Sequence, residues 1–292
     1  MGVVRNGRKP TGQPTVSNFQ RHMAALGWED GRTCRMMFVY AEEDAERYPA
    51  LLHELVTHGA DVIVVYGDPA IQAAQRASRT IPIVGMADDL VGSGLVASMA
   101  RPGGNTTGVS ILASELDVKR LELLHEFVPK ARRIAVLSDP TTVSTRPQLD
   151  KAAPALGVEL VTYEAQNRDE IARALDAMPA AGVGAVNVLA SPILNLARGV
   201  IVERLRRTRI PAIYQWPETA EQGGFLAYGP RVSLADQHVV GFVDKILRGA
   251  RPADLPIEQP TRFDLVVNLK TATALGLTIS RPLLLRADRV IE

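Results

Sequence analysis

Apolar residues fall along the chain in two alternating textures. Short, nearly continuous apolar runs such as Val62-Ile63-Val64-Val65 are separated by longer stretches in which apolar positions recur at helical spacing. The first texture suits parallel strands covered on both faces, the second amphipathic helices. It predicts strands over residues 34–40, 61–66, 81–86, 133–138, 159–163, 185–189, 212–215 and 265–269. Helices are expected over residues 15–26, 47–58, 70–79, 115–127, 146–156, 168–178, 193–208 and 234–248, with a short one after 269. Strand and helix in strict alternation give right-handed βαβ units and an α/β fold.

The chain also echoes itself. Gly59-Ala60-Asp61 leads into a buried strand, a small-residue loop, Pro69 at a helix start, and then Ile81-Pro82-Ile83. Gly182-Val183-Gly184 leads likewise into a buried strand, a small-residue loop, Pro192 and then Ile210-Pro211-Ala212. Leu26-Gly27 and Leu156-Gly157 stand upstream of the two units. Proline suits a first helical turn, where its missing N–H costs nothing. A frame shared over three elements predicts a duplication into two lobes. Glycine- and proline-rich breaks at residues 101–108, 222–230 and 259–262 mark three passages between them. One lobe is then expected over residues 1–110 with 232–260, the other over 111–231 with 261–292.

Composition narrows the function classes. Thirty-three Lys and Arg against 32 Asp and Glu leave a net charge of +1, which does not supply the basic surface that nucleic acid needs. No apolar run nears the roughly 20 residues that cross a bilayer. Cys34 is the single cysteine, so no disulfide framework exists, and its place beside Met36 and Met37 in an expected strand predicts a buried structural thiol. The start of the chain lacks the pattern of a signal peptide and runs through Met1-Gly2-Val3-Val4 into a polar loop over 5–14. That fits either a cytosolic protein or a mature, exported one. No phosphate-binding loop, nucleophile elbow or metal-ligand spacing occurs, and Glu54, beside His53, is expected to face solvent. The carboxylate pairs Glu42-Glu43 and Asp88-Asp89 fit solvated turns. No catalytic residue, cofactor or metal is therefore assigned.

What remains are the loops at the carboxyl ends of the strands, where open α/β sheets bind ligands. The first lobe contributes Asn6, Arg8, Tyr66, Gly67, Asp68 and Met86; the second contributes Ser138, Asp139, Thr142, Ala190, Ser191, Tyr214, Trp216 and Tyr228. Aromatic residues are only 5% of the chain, so the placement of Tyr66, Tyr214, Trp216 and Tyr228 at such ends suggests a ligand-facing wall, although each equally suits its own lobe's core. Asp68 and Asp139 read as acceptors for an amine or as helix caps, and Arg8 as a charge for an anion or as an exposed loop residue.

The run Arg101-Pro102-Gly103-Gly104-Asn105-Thr106-Thr107-Gly108, the segment 115–124 and the long segment 252–272, together with Ile210-Pro211-Ala212-Ile213-Tyr214, resemble the ABC transporter substrate-binding proteins of the tryptophan/tyrosine-binding-like type. The resemblance spans nearly the whole chain. It implies a type I periplasmic-binding fold: two Rossmann-like lobes with parallel sheets, three hinge crossings and a ligand cleft between the lobes. It also implies a periplasmic mature form, a small organic solute such as an amino acid or aromatic carboxylate, membrane permease subunits as partners, and a monomer without enzymatic activity. The basic run Arg5-Asn6-Gly7-Arg8-Lys9 departs from the small loop usual after the family's first strand and tilts the expected ligand toward an anion. The alternative is a cytosolic ligand-sensing effector domain of a regulator, which shares this fold.

Overall fold

The computed structural model describes residues 1–9, 17–42, 44–112, 115–140, 142 and 146–292. Glu43, Thr141, half of the expected polar loop (residues 10–14) and the expected helix start at Thr15 lie outside the described residues. In chain order the elements begin β1 (Gly2–Arg5), α1 (Asn18–Ala25), β2 (Met37–Tyr40), α2 (Tyr48–Thr57), β3 (Ile63–Tyr66), α3 (Asp68–Ala77), β4 (Ile83–Ala87) and β5 (Thr106–Ser110). They continue α4 (Glu115–Phe127), β6 (Arg133–Ser138), α5 (Arg146–Leu156), β7 (Glu159–Glu164), α6 (Arg168–Ala177), β8 (Ala185–Val188), α7 (Pro192–Leu196), α8 (Arg198–Thr208) and β9 (Ala212–Tyr214). The chain ends with α9 (Pro217–Glu221), β10 (Leu226–Gly229), α10 (Val232–Leu247), β11 (Asp264–Asn268), α11 (Leu269–Ala274), α12 (Arg281–Leu284) and β12 (Arg289–Ile291).

Two compact units emerge, Met1–Ile111 with Val232–Pro260 and Leu112–Arg231 with Thr261–Glu292, so the chain passes between them three times. The first unit holds a parallel sheet in the order β2-β1-β3-β4-β5. One of its faces buries Val4, Val39, Ile63 and Val65 against Leu52 and Leu55 of α2 and Ile71 of α3. The second unit holds a seven-stranded sheet in the order β12-β11-β10-β9-β8-β6-β7. Its strands alternate between two cores, as the two-residue period of a strand requires. Ile134 and Val136 pack with Leu121 and Leu124 of α4, whereas Ala135 and Leu137 pack with Ile171 of α6 and Ile201 of α8.

Several elements differ from the sequence pattern, each for a physical reason. Four strands lie outside the predicted set. The run Thr106-Thr107-Gly108-Val109-Ser110, expected as a turn, is β5, buried throughout. The break at 222–230 contains β10. Both are short and glycine-bearing; neighbouring strands, not propensity, make them extended. β1 and β12 are equally short, at four and three residues. The expected strict alternation fails between β4 and β5, which follow one another without an intervening helix, and β10 and β11, although α10 lies between them in the chain, pair antiparallel. The helix expected over 193–208 breaks at Ala197 into α7 and α8. The strand expected over 34–40 begins only at Met37, which leaves Cys34 in an isolated bridge with Asp30, half-buried instead of in the core. Partial burial and the nearby Asp30 carboxylate push its thiol pKa up. α1 starts at Asn18 because Ser17 and Gln20 form a reciprocal capping box, with Ser17 Oγ accepting the Gln20 N–H at 3.2 Å and Gln20 Oε1 accepting the Ser17 N–H at 3.0 Å.

Gly108 sits opposite Gly85 in the β4–β5 ladder, with φ of +149°. A Cβ there would lie 1.8 Å from the Gly85 carbonyl oxygen, a backbone atom that cannot move aside. Gly108→Ala is expected to destabilise the first unit by more than about 2 kcal/mol, seen as a lowered urea midpoint. An unchanged midpoint would contradict this tight pairing.

Candidate functional site

In an open α/β sheet, successive crossovers that leave one strand in opposite directions open a crevice at the strands' carboxyl ends. The strand orders place one such switch between β1 and β3 and a second between β6 and β8. Both switch points are bridged by polar side chains.

At the first, Asn6 Nδ2 donates to the Tyr66 carbonyl at 3.1 Å while its Oδ1 accepts from the Tyr48 hydroxyl at 3.1 Å. The chain thus turns from β1 onto the end of β3. The Gly67 N–H donates to the Met86 carbonyl at 2.8 Å, tying the next strand end to the same edge. The basic residue ordered into this edge is Arg5; Arg8 is exposed. The Arg5 guanidinium lies 5.6, 5.9 and 5.2 Å from the ring centres of Phe19, Phe38 and Tyr66, within cation–π range of all three. The buried Tyr66 hydroxyl sits near Arg5 and Asp236, and burial, with Asp236, pushes its pKa above the ordinary tyrosine value against the opposing pull of Arg5. It is a neutral phenol at any physiological pH.

Asp68 does not cap α3. Gly67 holds that position. The Asp68 carboxylate instead accepts from the Ser93 hydroxyl at 2.5 Å. Burial pushes its pKa up, the Ser93 hydrogen bond opposes this, and the neighbouring carboxylates Asp88 and Asp89 add to the rise.

At the second switch point, Asp139 is fully buried and its Oδ2 accepts from the Ser191 hydroxyl at 2.5 Å. Ser191 Oγ in turn accepts the N–H groups of Ile193 and Leu194 at 3.2 and 3.3 Å, so Ser191 is the cap of α7 and Asp139 holds the cap in place. Thr142 closes the loop after β6: its Oγ1 accepts the Asp139 N–H at 3.1 Å and donates to the Asp139 carbonyl at 2.9 Å. The Ser138 hydroxyl donates across the strand to the Tyr163 carbonyl at 3.4 Å.

The aromatic residues expected at this edge part company. Tyr214 lies inside the core with Leu194, Ile201 and Leu205, and burial pushes its hydroxyl pKa up. Trp216, also buried, lines a crevice with Tyr214, Leu189, Ser191, Gln215 and Thr219. Half-buried Ala190 follows Leu189 in the same loop. Tyr228 is half-buried and tilts against Phe263 with ring centres 6.4 Å apart.

Sequence reasoning missed a polar cluster beneath α4. Arg120, fully buried, pairs with the buried Asp117 one turn earlier, and its Nη1 donates to the Tyr228 carbonyl at 3.1 Å. Asn187 Nδ2 donates to the Asp117 carbonyl at 3.2 Å. Gly229 belongs to the same knot, since a Cβ on it would come 2.1 Å from the Gln215 carbonyl oxygen. Ends of β8 and β10 and the turn after β9 are thereby fixed to one helix. The visible signals were a lone Asn in the apolar run 185–189 and an Asp-x-x-Arg spacing in α4.

A duplicated α/β body with a switch point in each half and three passages between them is the architecture of the type I periplasmic-binding fold. A conserved domain protein from Vibrio cholerae superposes with a TM-score of 0.87 at 26% identity, covering 99% of this chain and 98% of that one. The ABC domain from Streptococcus pneumoniae crystallised with L-Trp superposes with a TM-score of 0.86 at 24% identity, over 99% of this chain and 98% of that one. The tyrosine-binding protein of Clostridioides difficile is 25% identical over 284 residues, 95% of this chain and 81% of the relative. The ABC transporter substrate binding protein family matches residues 7–291, and the chain belongs to that family. It is a solute-binding protein of an ABC transporter, and no helix among the described residues is long and apolar enough to cross a membrane.

Two outcomes follow from the site's electrostatics. Arg120→Ala leaves the Asp117 carboxylate buried without its cation and is expected to cost about 3–5 kcal/mol in urea unfolding, whereas Arg120→Met combined with Asp117→Leu recovers most of it. The Asp68 carboxyl should titrate above the ordinary aspartate range by carbon-detected NMR, and Ser93→Ala should move it further up by removing the bond that favours the charged form. Because its folded pKa is raised, Asp68 disfavours the folded state above that pKa, and Asp68→Asn should flatten the stability profile just above the ordinary carboxylate range. A downward shift in Ser93→Ala would contradict the assignment.

Proposed function

We propose that the protein captures an aromatic amino acid and delivers it to the membrane permease of an ABC importer. The observation that carries this reading is common to both switch points: a carboxylate held by a serine hydroxyl stands at an edge furnished with aromatic rings. In the first unit these are Asp68 with Ser93, beside Tyr66; in the second, Asp139 with Ser191, beside Trp216. A carboxylate accepts an ammonium group, and flat rings stack on an apolar side chain. The tyrosine-binding relative and the L-Trp complex support the same ligand class.

The residues proposed to contact a solute are Asn6, Gly67, Asp68 and Met86 in the first unit and Ser138, Asp139, Thr142, Ala190, Ser191, Trp216 and Tyr228 in the second. Tyr214 acts from the core, by supporting Trp216, and Arg8 supplies only peripheral charge. A solute shifts an open–closed equilibrium by its differential affinity for the two forms, and a mostly open protein needs about 5 kcal/mol of it to become mostly closed. In this reading the protein is periplasmic and monomeric, breaks no bond, and has no nucleic-acid partner.

Calorimetric titration with L-tryptophan, L-tyrosine, L-phenylalanine and aliphatic amino acids should show binding confined to the aromatic set. Trp216→Ala and Asp139→Ala should each weaken it by about 10- to 100-fold, the loss of a stacking wall or of a charged hydrogen bond. The radius of gyration should fall on saturation. Equal affinity for aliphatic and aromatic amino acids, or two variants that bind like the parent, would contradict the reading.

A further inference from the structure

We infer that Gln215 and Asn187 form a neutral carboxamide pair that reads the zwitterionic head of the solute, making unit two selective for an α-amino acid over a simple carboxylate or amine. The inference rests on the amino-acid reading above and extends it to two residues outside that site.

Asn187 is fully buried and Gln215 is 5% exposed, yet each keeps one polar atom without a hydrogen-bond partner: Oδ1 of Asn187 and Nε2 of Gln215. Buried polar atoms are almost always paired, because an unpaired one has given up its bonds to water and gained none in return. The orientation of Asn187 is fixed chemically. Its other end bonds a carbonyl, that of Asp117, which accepts only from nitrogen, so the unfilled atom is the oxygen. The two side chains belong to one neighbourhood. Asn187 stands opposite Ile213 in the β8–β9 ladder, Gln215 lies two residues beyond Ile213, and the Gln215 carbonyl packs on Gly229 beside Arg120. Gln215 also lines the crevice that contains Trp216 and Ser191.

An unfilled acceptor and an unfilled donor match an ammonium and a carboxylate. The nearby cation is already engaged: Arg120 is bound by Asp117 and by the Tyr228 carbonyl. Neutral amides can meet a zwitterion, which carries no net charge, without burying an unbalanced one. Arg120 is then a positioning residue, anchoring the strand ends from which the amides project.

The test uses the full chain with L-tryptophan and L-tyrosine as probes, and indole-3-propionate, which lacks the ammonium, as a comparison. Gln215→Met, close in shape, should weaken binding of either amino acid by about 10- to 100-fold, the loss of a hydrogen bond to a charged group. Gln215→Glu should weaken it further by setting two carboxylates together. Asn187→Leu should remove most of the preference for L-tryptophan over indole-3-propionate. Thermal melts of Gln215→Met and Gln215→Glu within a few degrees of wild type establish that the losses are local. Should both Gln215 variants bind within threefold of wild type, or should the Glu variant bind as well as the Met variant, the assignment is overturned while the amino-acid reading stands. A wild-type protein that binds neither amino acid overturns that reading and this inference with it.

Discussion

Parallel strands can be linked only by crossovers, and a crossover on each side of one strand forces the sheet to open at its carboxyl end. The residues proposed to meet the solute stand at such openings. In the first unit the divergence between β1 and β3 is closed by Asn6, whose carboxamide spans from the Tyr66 carbonyl to the Tyr48 hydroxyl. In the second, the divergence between β6 and β8 is closed by the Asp139 carboxylate on the Ser191 hydroxyl. The constraint is topological, but it is met by polar atoms, since a strand end and a helix start both leave backbone groups to satisfy. The same polar atoms are what a small solute can recognise.

Charge is handled differently in the two units. In the first, the Arg5 guanidinium is surrounded by the rings of Phe19, Phe38 and Tyr66, which offer quadrupole attraction without neutralising it. In the second, Arg120 is wholly buried and neutralised by Asp117, then fastened to the backbone of β10. A buried pair of this kind adds little net stability against an apolar pair of the same size, but it cannot be half-removed. Its value lies in geometry: it holds one helix to the end of β10, and through the Asp117 carbonyl to Asn187 of β8. Rigid supports of this sort let a binding surface keep its shape while it is empty.

The chain's own pattern disclosed much of this. Long apolar runs gave β3, β4, β6 and β8 nearly at their true limits, and periodic segments gave α4 and α5 with their observed bounds. The loops that carry Asp68, Asp139 and Ser191 were legible because a strand end followed by a helix start is a recognisable place in the sequence. Less legible were residues whose importance depends on partners far along the chain. Arg120 looked like one basic residue of an amphipathic helix; only its contact with Tyr228, 108 residues away, makes it an anchor. Gln215, between two aromatic residues, was overshadowed by them. Yet Tyr214 is drawn into the core, and Gln215 keeps an unfilled donor.

Local sequence determined the type and order of the main elements, since hydrophobic period depends on nothing beyond the residues themselves. It determined the duplication too, because the two halves repeat the same punctuation of glycine and proline. Tertiary structure alone decided that Thr106-Thr107-Gly108 and Leu226-Ala227-Tyr228 become strands, and that β11 runs antiparallel. It alone decided the long-range polar partners, such as Asp139 with Ser191 and Arg120 with the Tyr228 carbonyl. Those outcomes rest on desolvation by neighbours distant in sequence, and no window along the chain contains both members of such a pair.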